Sequence, residues 1–421
     1  MKRAFINSEL ASGRGGLLIE NDVVVACGPD VTAANVSGAD VQDCGGKLLL
    51  PGLVDMRVFT GEPGSEYRET LASASEAAAA GGVTTMIVMP NTNPVIDDAA
   101  MVDFILRRAR DTAKVRVAPM AAISKGAQGT ELAEIGLMKE AGAVAVTDGT
   151  HGVANAALLR RAMAYAKDHN LLVVQHVEDP TLATGVMNSG ERSSRLGLSG
   201  NHFMAEVMML ERDLRLVEMT GCRYHAAQIS CVESIEVMRR AKSKGLPVTC
   251  GVSINHLTLN ETDIGAYRTF FKLSPPLRGE EDRQALVAGL AEGVIDVVVS
   301  SHDPQSDDTK RLPFAEAAFG AVGLETMLTA LLSIYHNKNI GLKRLVESVC
   351  EMPAKALGLS QGRLVAKAPA DFVLVDLHSS WKVEGGSLAS RSKNSPFERR
   401  VLEGRVQETW VAGTRVYAYA G

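Results

Sequence analysis

Short runs of β-branched and apolar residues recur along the middle of this chain, and helical segments separate most of them. The runs fall at 53–59, 83–89, 115–121, 144–147, 171–176, 223–228, 247–251 and 295–300. Between them lie segments rich in Ala, Leu, Met and Glu, such as 99–113 and 154–168. Near-continuous apolar runs of this length are what a strand buried on both faces requires, and parallel strands need a crossover between them. Eight such units predict an α/β protein, a (β/α)8 barrel. The two ends read differently. GLLIE, DVVVAC and GKLLL near the start, and ADFVLVDL and RVQETWVAGTRVYAY near the finish, alternate like strands between Gly-rich turns. The expected organisation is residues 1–50 and 361–421 folding together as a small β-sandwich-like domain beside a barrel at 51–360.

Composition limits function by exclusion. The chain has 421 residues, a net charge of −5 and no basic tract, so nucleic-acid binding has no electrostatic footprint. No apolar run approaches the roughly 18 residues that span a bilayer, and the first residues carry no apolar core behind their cations. The six cysteines are scattered without a C-x-x-C pair, which points to a reduced, cytoplasmic protein.

Chemistry in a (β/α)8 barrel sits at the C-terminal ends of the strands, and the motifs of this chain lie there. They read PGLVDM at 51–56, MPNTNP at 89–94, QHVED at 175–179, PPLR at 275–278 and GVIDVVVSSHDP at 293–304. VGLET at 322–326, ADFVLVD at 370–376 and SKNSPF at 392–397 complete the set. Across nearly its whole length the chain resembles the class I dihydroorotases of the amidohydrolase superfamily. The resemblance implies a barrel that opens or closes the ring between dihydroorotate and carbamoyl aspartate in pyrimidine biosynthesis. In that family zinc generates hydroxide and a strand-8 aspartate moves protons. Zinc chemistry of this kind needs His nitrogens and carboxylate oxygens converging from several strands.

The matching positions here depart from that pattern. The first-strand His-x-His is Arg57 and Phe59, and the arginine that follows it, which clamps the substrate carboxylate, is Gly61. The strand-6 histidine is Gln228, the strand-8 aspartate is Ser301, and the second histidine of that last motif is Gln305. The asparagine before PPLR is Ser274. Asp148, His176 and Asn91 are kept, although Gly149 replaces an acid of the usual Asp-Asp-Gly. An inward Arg57 would also repel a divalent metal ~4 Å away by roughly 8 kcal/mol at an effective dielectric of about 20.

These losses predict no catalytic and no metal residues, and no cofactor. Arg57 is expected to pair with Asp148, Phe59 to fill a dry former site, His176 to be a hydrogen-bonded barrel histidine, and Glu178 and Asp179 to face the loop. The pattern of loss resembles the inactive dihydroorotase-like subunits that bind aspartate transcarbamoylase. The leading expectation is therefore a homodimeric, non-catalytic subunit supporting assembly of the transcarbamoylase catalytic subunit, with neither nucleic acid nor membrane as partner. The alternative is an active dihydroorotase or related cyclic-amide hydrolase whose zinc site is rebuilt from His151, His225, His302 or Asp303. A third reading is a small-molecule binding protein that reuses Asn91 and Arg57. Ser230 beside His225 lacks an orienting third group and is no convincing nucleophile.

Overall fold

The computed structural model describes residues 1–420. Its centre is an eight-stranded parallel sheet, in which strands such as VTTMIV at Val83–Val88 and VVV at Val297–Val299 are β-branched runs flanked by a helix or loop. Five strands precede it in the chain: β1 (Lys2–Leu10), β2 (Gly13–Glu20), β3 (Val23–Gly28), β4 (Asp40–Asp43) and β5 (Leu48–Pro51). The barrel strands follow as β6 (Leu53–Val58), β7 (Val83–Val88), β8 (Arg116–Ala121), β9 (Ala145–Val146) and β10 (Leu172–Gln175). After a short pair, β11 (Met187–Asn188) and β12 (Gly200–Asn201), come β13 (Tyr224–Ala226), β14 (Val248–Ser253) and β15 (Val297–Val299). Spatial order is β15-β14-β13-β10-β9-β8-β7-β6, with parallel pairing throughout.

Closure joins the first and last of these strands. Phe59 N–H donates to the His302 carbonyl at 2.8 Å, and Val58 bridges His302 in parallel. Ser300 N–H also reaches the buried Asp55 carboxylate at 3.3 Å. The expected (β/α)8 architecture is therefore present. Its interior is packed with Met56, Ile87, Met120, Leu172, Val174 and Val297, all buried, so the barrel is filled below and open only at its mouth.

The two chain ends share one further sheet, ordered β18-β17-β16-β5-β1-β2-β3 with β4 on β1. Here β16 is Phe372–Lys382, β17 is Val401–Val411 and β18 is Thr414–Ala418. Phe5, Phe372 and Trp410 form its aromatic centre, with Phe5 edge-on to both partners at 4.7 and 5.1 Å. Edge-to-face contacts of this kind add to what burial alone contributes. Among the described residues no helix is long and apolar enough to cross a membrane, and all six cysteines are free.

Candidate active site at the barrel mouth

A cavity of about 500 Å³ opens at the C-terminal ends of the barrel strands. Its wall includes eight of the ten positions singled out in the sequence: Arg57, Phe59, Gly61, Asn91, His176, Ser274, Ser301 and Gln305. Asp148 and Gln228 are buried outside that wall. Phe59 does not dry the site. Its ring packs against the Arg57 guanidinium, 5.3 Å from ring centre to Cζ, and leaves the cavity beside it.

Arg57 projects from β6 and is only 3% exposed. It does not pair with Asp148. Its Nη1 makes one long contact, 3.4 Å, to the Gly149 carbonyl, and its Nε has no partner. Burial lowers its pKa to about 10, opposed by Asp303, Glu178 and Asp55 acting through space, so it stays cationic at neutral pH. Asp148 is committed elsewhere. One carboxylate oxygen accepts from Ile123 N–H and Ser124 N–H at 2.8 and 3.0 Å, and the other accepts from Ser124 Oγ at 2.6 Å. The carboxylate thus ties the end of β8 to the end of β9. That engagement turns both carboxylate oxygens toward the β8 end rather than toward Arg57.

Gly149 explains part of the local backbone. Its φ is +71°, and a Cβ there would lie 1.5 Å from Asn91 Oδ1. Glycine lets the Asn91 amide reach the Asp148 carbonyl, to which Nδ2 donates at 3.2 Å. Asn91 Oδ1 itself is buried without a partner. Ser301 also takes a left-handed conformation, φ 52°, at the turn beyond β15.

Glu178 was expected to face the loop, but it is buried in the cavity wall. It sits 2.9 Å from His176 Nε2, accepts from Ser274 Oγ at 2.7 Å and from Asn201 Nδ2 at 2.7 Å. Burial opposes its ionisation, yet the contacts with His176 and Ser274 hold its pKa down at about 2. Ser274 Oγ also lies 3.2 Å from His176 Nε2, while His176 Nδ1 is buried without a partner. A histidine, an ionised carboxylate and a hydroxyl therefore meet at one point of the cavity. The place of Ser274 before PPLR was legible in the sequence; its convergence with Glu178 was not, because the two lie 96 residues apart in the chain.

Arg68 is the other residue the sequence reading passed over. It is half-buried in the same wall, with Nη1 3.4 Å from Gln305 Oε1 and Nε unpartnered. No motif marks it, since it lies in the loop that follows β6.

The fold family implies zinc, and the donors present do not fit it. Among the described residues no group of three or more His, Cys, Asp and Glu is placed to hold a metal ion. The replacement ligands considered from sequence do not converge. His225 is buried against Thr249 Oγ1 at 2.8 Å, and burial drops its pKa to about 3. His302 is fully buried, receives Gly323 N–H at 3.2 Å and lies 3.5 Å from Glu69. His151 is exposed beside Thr150. Asp303 accepts from Gln305 Nε2 at 2.8 Å. Gln228, at the strand-6 position, keeps both amide atoms buried and unpartnered.

Comparison with known proteins places this geometry in a lineage. The chain is 41% identical over 402 residues to the dihydroorotase of Citrifermentans bemidjiense, covering 95% of this chain and 94% of that one. This chain belongs to the dihydroorotase family. A Dihydro-orotase-like family model matches residues 46–234. A dihydroorotase of a Wolbachia species is 40% identical over 408 residues, covering 96% and 92% of the two chains. Among solved structures, the L-hydantoinase (dihydropyrimidinase) from Arthrobacter aurescens superposes with a TM-score of 0.90 at 27% identity, over 99% of this chain and 96% of that one. A dihydropyrimidinase from Brevibacillus agri, TM-score 0.84 at 20% identity, shares the fold. These relatives overturn the leading expectation of a non-catalytic assembly subunit. Proteins about 40% identical over almost the whole chain carry the name dihydroorotase, which favours the enzymatic alternative.

Proposed function

We propose that this chain is a dihydroorotase-type enzyme that interconverts a cyclic ureide and its ring-opened ureido acid, dihydroorotate and carbamoyl aspartate, at the barrel mouth. The observation that carries the reading is full-length identity of about 40% to proteins named dihydroorotase, together with a cavity that holds Arg57, His176 and Glu178 at the strand ends where such barrels work. The family's metal would supply hydroxide and polarise the amide carbonyl. The residues here do not fit it, so the chemistry falls to the chain's own groups.

In the hydrolytic direction, water adds to the ring amide carbon, the C–N bond breaks, and the ring nitrogen leaves with a proton. Products are a ureido group and a new carboxylic acid, whose ionisation releases one proton. His176 is the group placed to take the proton from water and return it to nitrogen, because it alone among the cavity's histidines touches a fixed carboxylate. Glu178 orients the imidazole and stabilises its cationic form, and Ser274 completes the hydrogen bonding. His176 and Glu178 are both buried in the wall, which strengthens the interaction between them.

The test is dihydroorotate hydrolysis and carbamoyl aspartate cyclisation by purified protein, with a His176→Asn variant alongside. Turnover that the variant lowers by at least a hundredfold is expected. Absence of turnover in both directions, with and without added zinc, would overturn the proposal. Homodimer formation and association with an aspartate transcarbamoylase catalytic subunit are separate proposals, independent of catalysis. Sedimentation of the purified chain and copurification from its native host would decide them.

A further inference from the structure

Two guanidinium groups in one cavity wall lack a carboxylate partner. Arg57 is 3% exposed, and among the described residues the carboxylates that act on it, Asp303, Glu178 and Asp55, do so only through space. Its hydrogen bonding amounts to a single 3.4 Å contact with a backbone carbonyl, and Nε is an orphan. The one side-chain hydrogen bond of Arg68 is to the neutral Gln305 amide, at 3.4 Å, with a buried orphan Nε. A guanidinium held out of water without an anion is costly. Other arginines of this chain find carboxylates: Arg116 binds Asp371 through two nitrogens, and Arg212 binds Asp213 the same way; Arg3, Arg192 and Arg278 also keep one unpartnered nitrogen, but none of them lines this cavity.

The position where the family carries its carboxylate-clamping arginine cannot serve here. Gly61 has φ +73°, and a Cβ on it would lie 2.7 Å from the Ser65 carbonyl oxygen. The positive charge of this cavity therefore comes from other places in the chain.

We propose that Arg57 and Arg68 form an anion receptor that selects ligands by their carboxylates, and that Arg57 is the specificity-determining residue of the cavity. Guanidinium groups suit this role because each offers a planar fork of donors to a carboxylate. Selectivity should then follow ligand charge: carbamoyl aspartate with two carboxylates above dihydroorotate with one, and neutral dihydrouracil last. The proposal rests on the substrate class assigned above and adds the residues that recognise it.

The experiment is calorimetric titration of the full chain with those three compounds, in the wild type and in Arg57→Met and Arg68→Met variants. The expected result is the stated affinity order in the wild type. Arg57→Met should weaken carbamoyl aspartate binding at least tenfold, abolish the charge ranking, and melt at or above the wild-type temperature without ligand. A merely structural Arg57 would instead leave the ranking intact and lower the melting temperature. Should Arg57→Met fail to fold, Arg68→Met, at a half-buried position, must still weaken carbamoyl aspartate binding more than dihydrouracil binding. Dihydrouracil binding as tightly as carbamoyl aspartate, or unchanged affinities in both variants, would overturn the proposal. Charge-ranked binding without turnover would retain this receptor and remove the proposed function. Turnover with an unchanged KM in Arg57→Met would do the reverse.

Discussion

Asp148→Ala tests whether that carboxylate is a structural tie or a free ligand. The carboxylate accepts two backbone N–H groups, from Ile123 and Ser124, and the Ser124 hydroxyl, all at 2.6–3.0 Å in a buried setting. Alanine leaves both N–H donors and the hydroxyl without an acceptor. Ser124 Oγ already accepts from Gly129 N–H at 2.7 Å, so its proton has no ready substitute partner. Each stranded donor costs about 1–3 kcal/mol, and three together give a loss of roughly 4 kcal/mol. An unfolding entropy of about 2.1 cal/mol/K per residue implies roughly 0.9 kcal/mol/K for a chain of this size. The melting temperature should fall by about 4–5 °C in a calorimetric scan. Asp148→Asn keeps an acceptor for the two N–H groups and should lose only about 1–2 kcal/mol. An Asp148→Ala protein melting within a degree of the wild type would refute the reasoning. So would zinc that stabilises the wild type and not this variant, because it would show the carboxylate to be available to metal.

Further outcomes follow from neighbouring groups. Gly149→Ala combines a φ of +71° with a Cβ placed 1.5 Å from Asn91 Oδ1, so it should cost about 1–3 kcal/mol and weaken ligand binding by displacing Asn91, as measured by thermal melting and titration. Glu178 has its pKa lowered from 4.5 to about 2, so its contribution to stability is complete above pH 4.5 and disappears as pH falls through 2. Glu178→Gln should flatten the stability profile across that window in acid titration monitored by circular dichroism. His225 has its pKa lowered from 6.5 to about 3 by burial, then Lys242 and Arg57. It adds stability above pH 6.5 relative to acid, lost as pH falls through 3, and His225→Asn should remove about 1.4 kcal/mol of pH dependence per unit within that range.

The barrel was legible because its strands are buried on both faces and therefore spell continuous β-branched runs. Val83–Val88 and Leu172–Gln175 are wholly buried, as their composition requires. The position of the site was legible for the same reason: Arg57, His176 and Ser301 lie at or just beyond strand ends. Partnerships were not legible. Asp148 is satisfied by the end of β8, and Glu178 by Ser274 from a loop and Asn201 from β12; no spacing along the chain encodes those meetings. Burial of Arg57 could be anticipated from its place in an apolar strand, but its lack of a carboxylate partner depends on where Asp148 is spent. Phe59 leaves the cavity open beside it, because its ring lies against Arg57.

The most direct test of the central claim is dihydroorotate turnover by protein stripped with chelator, with metal content measured on the same sample. The account predicts turnover that persists without bound metal and does not rise when zinc is added. Turnover that appears only with stoichiometric zinc, or none under either condition, would contradict it.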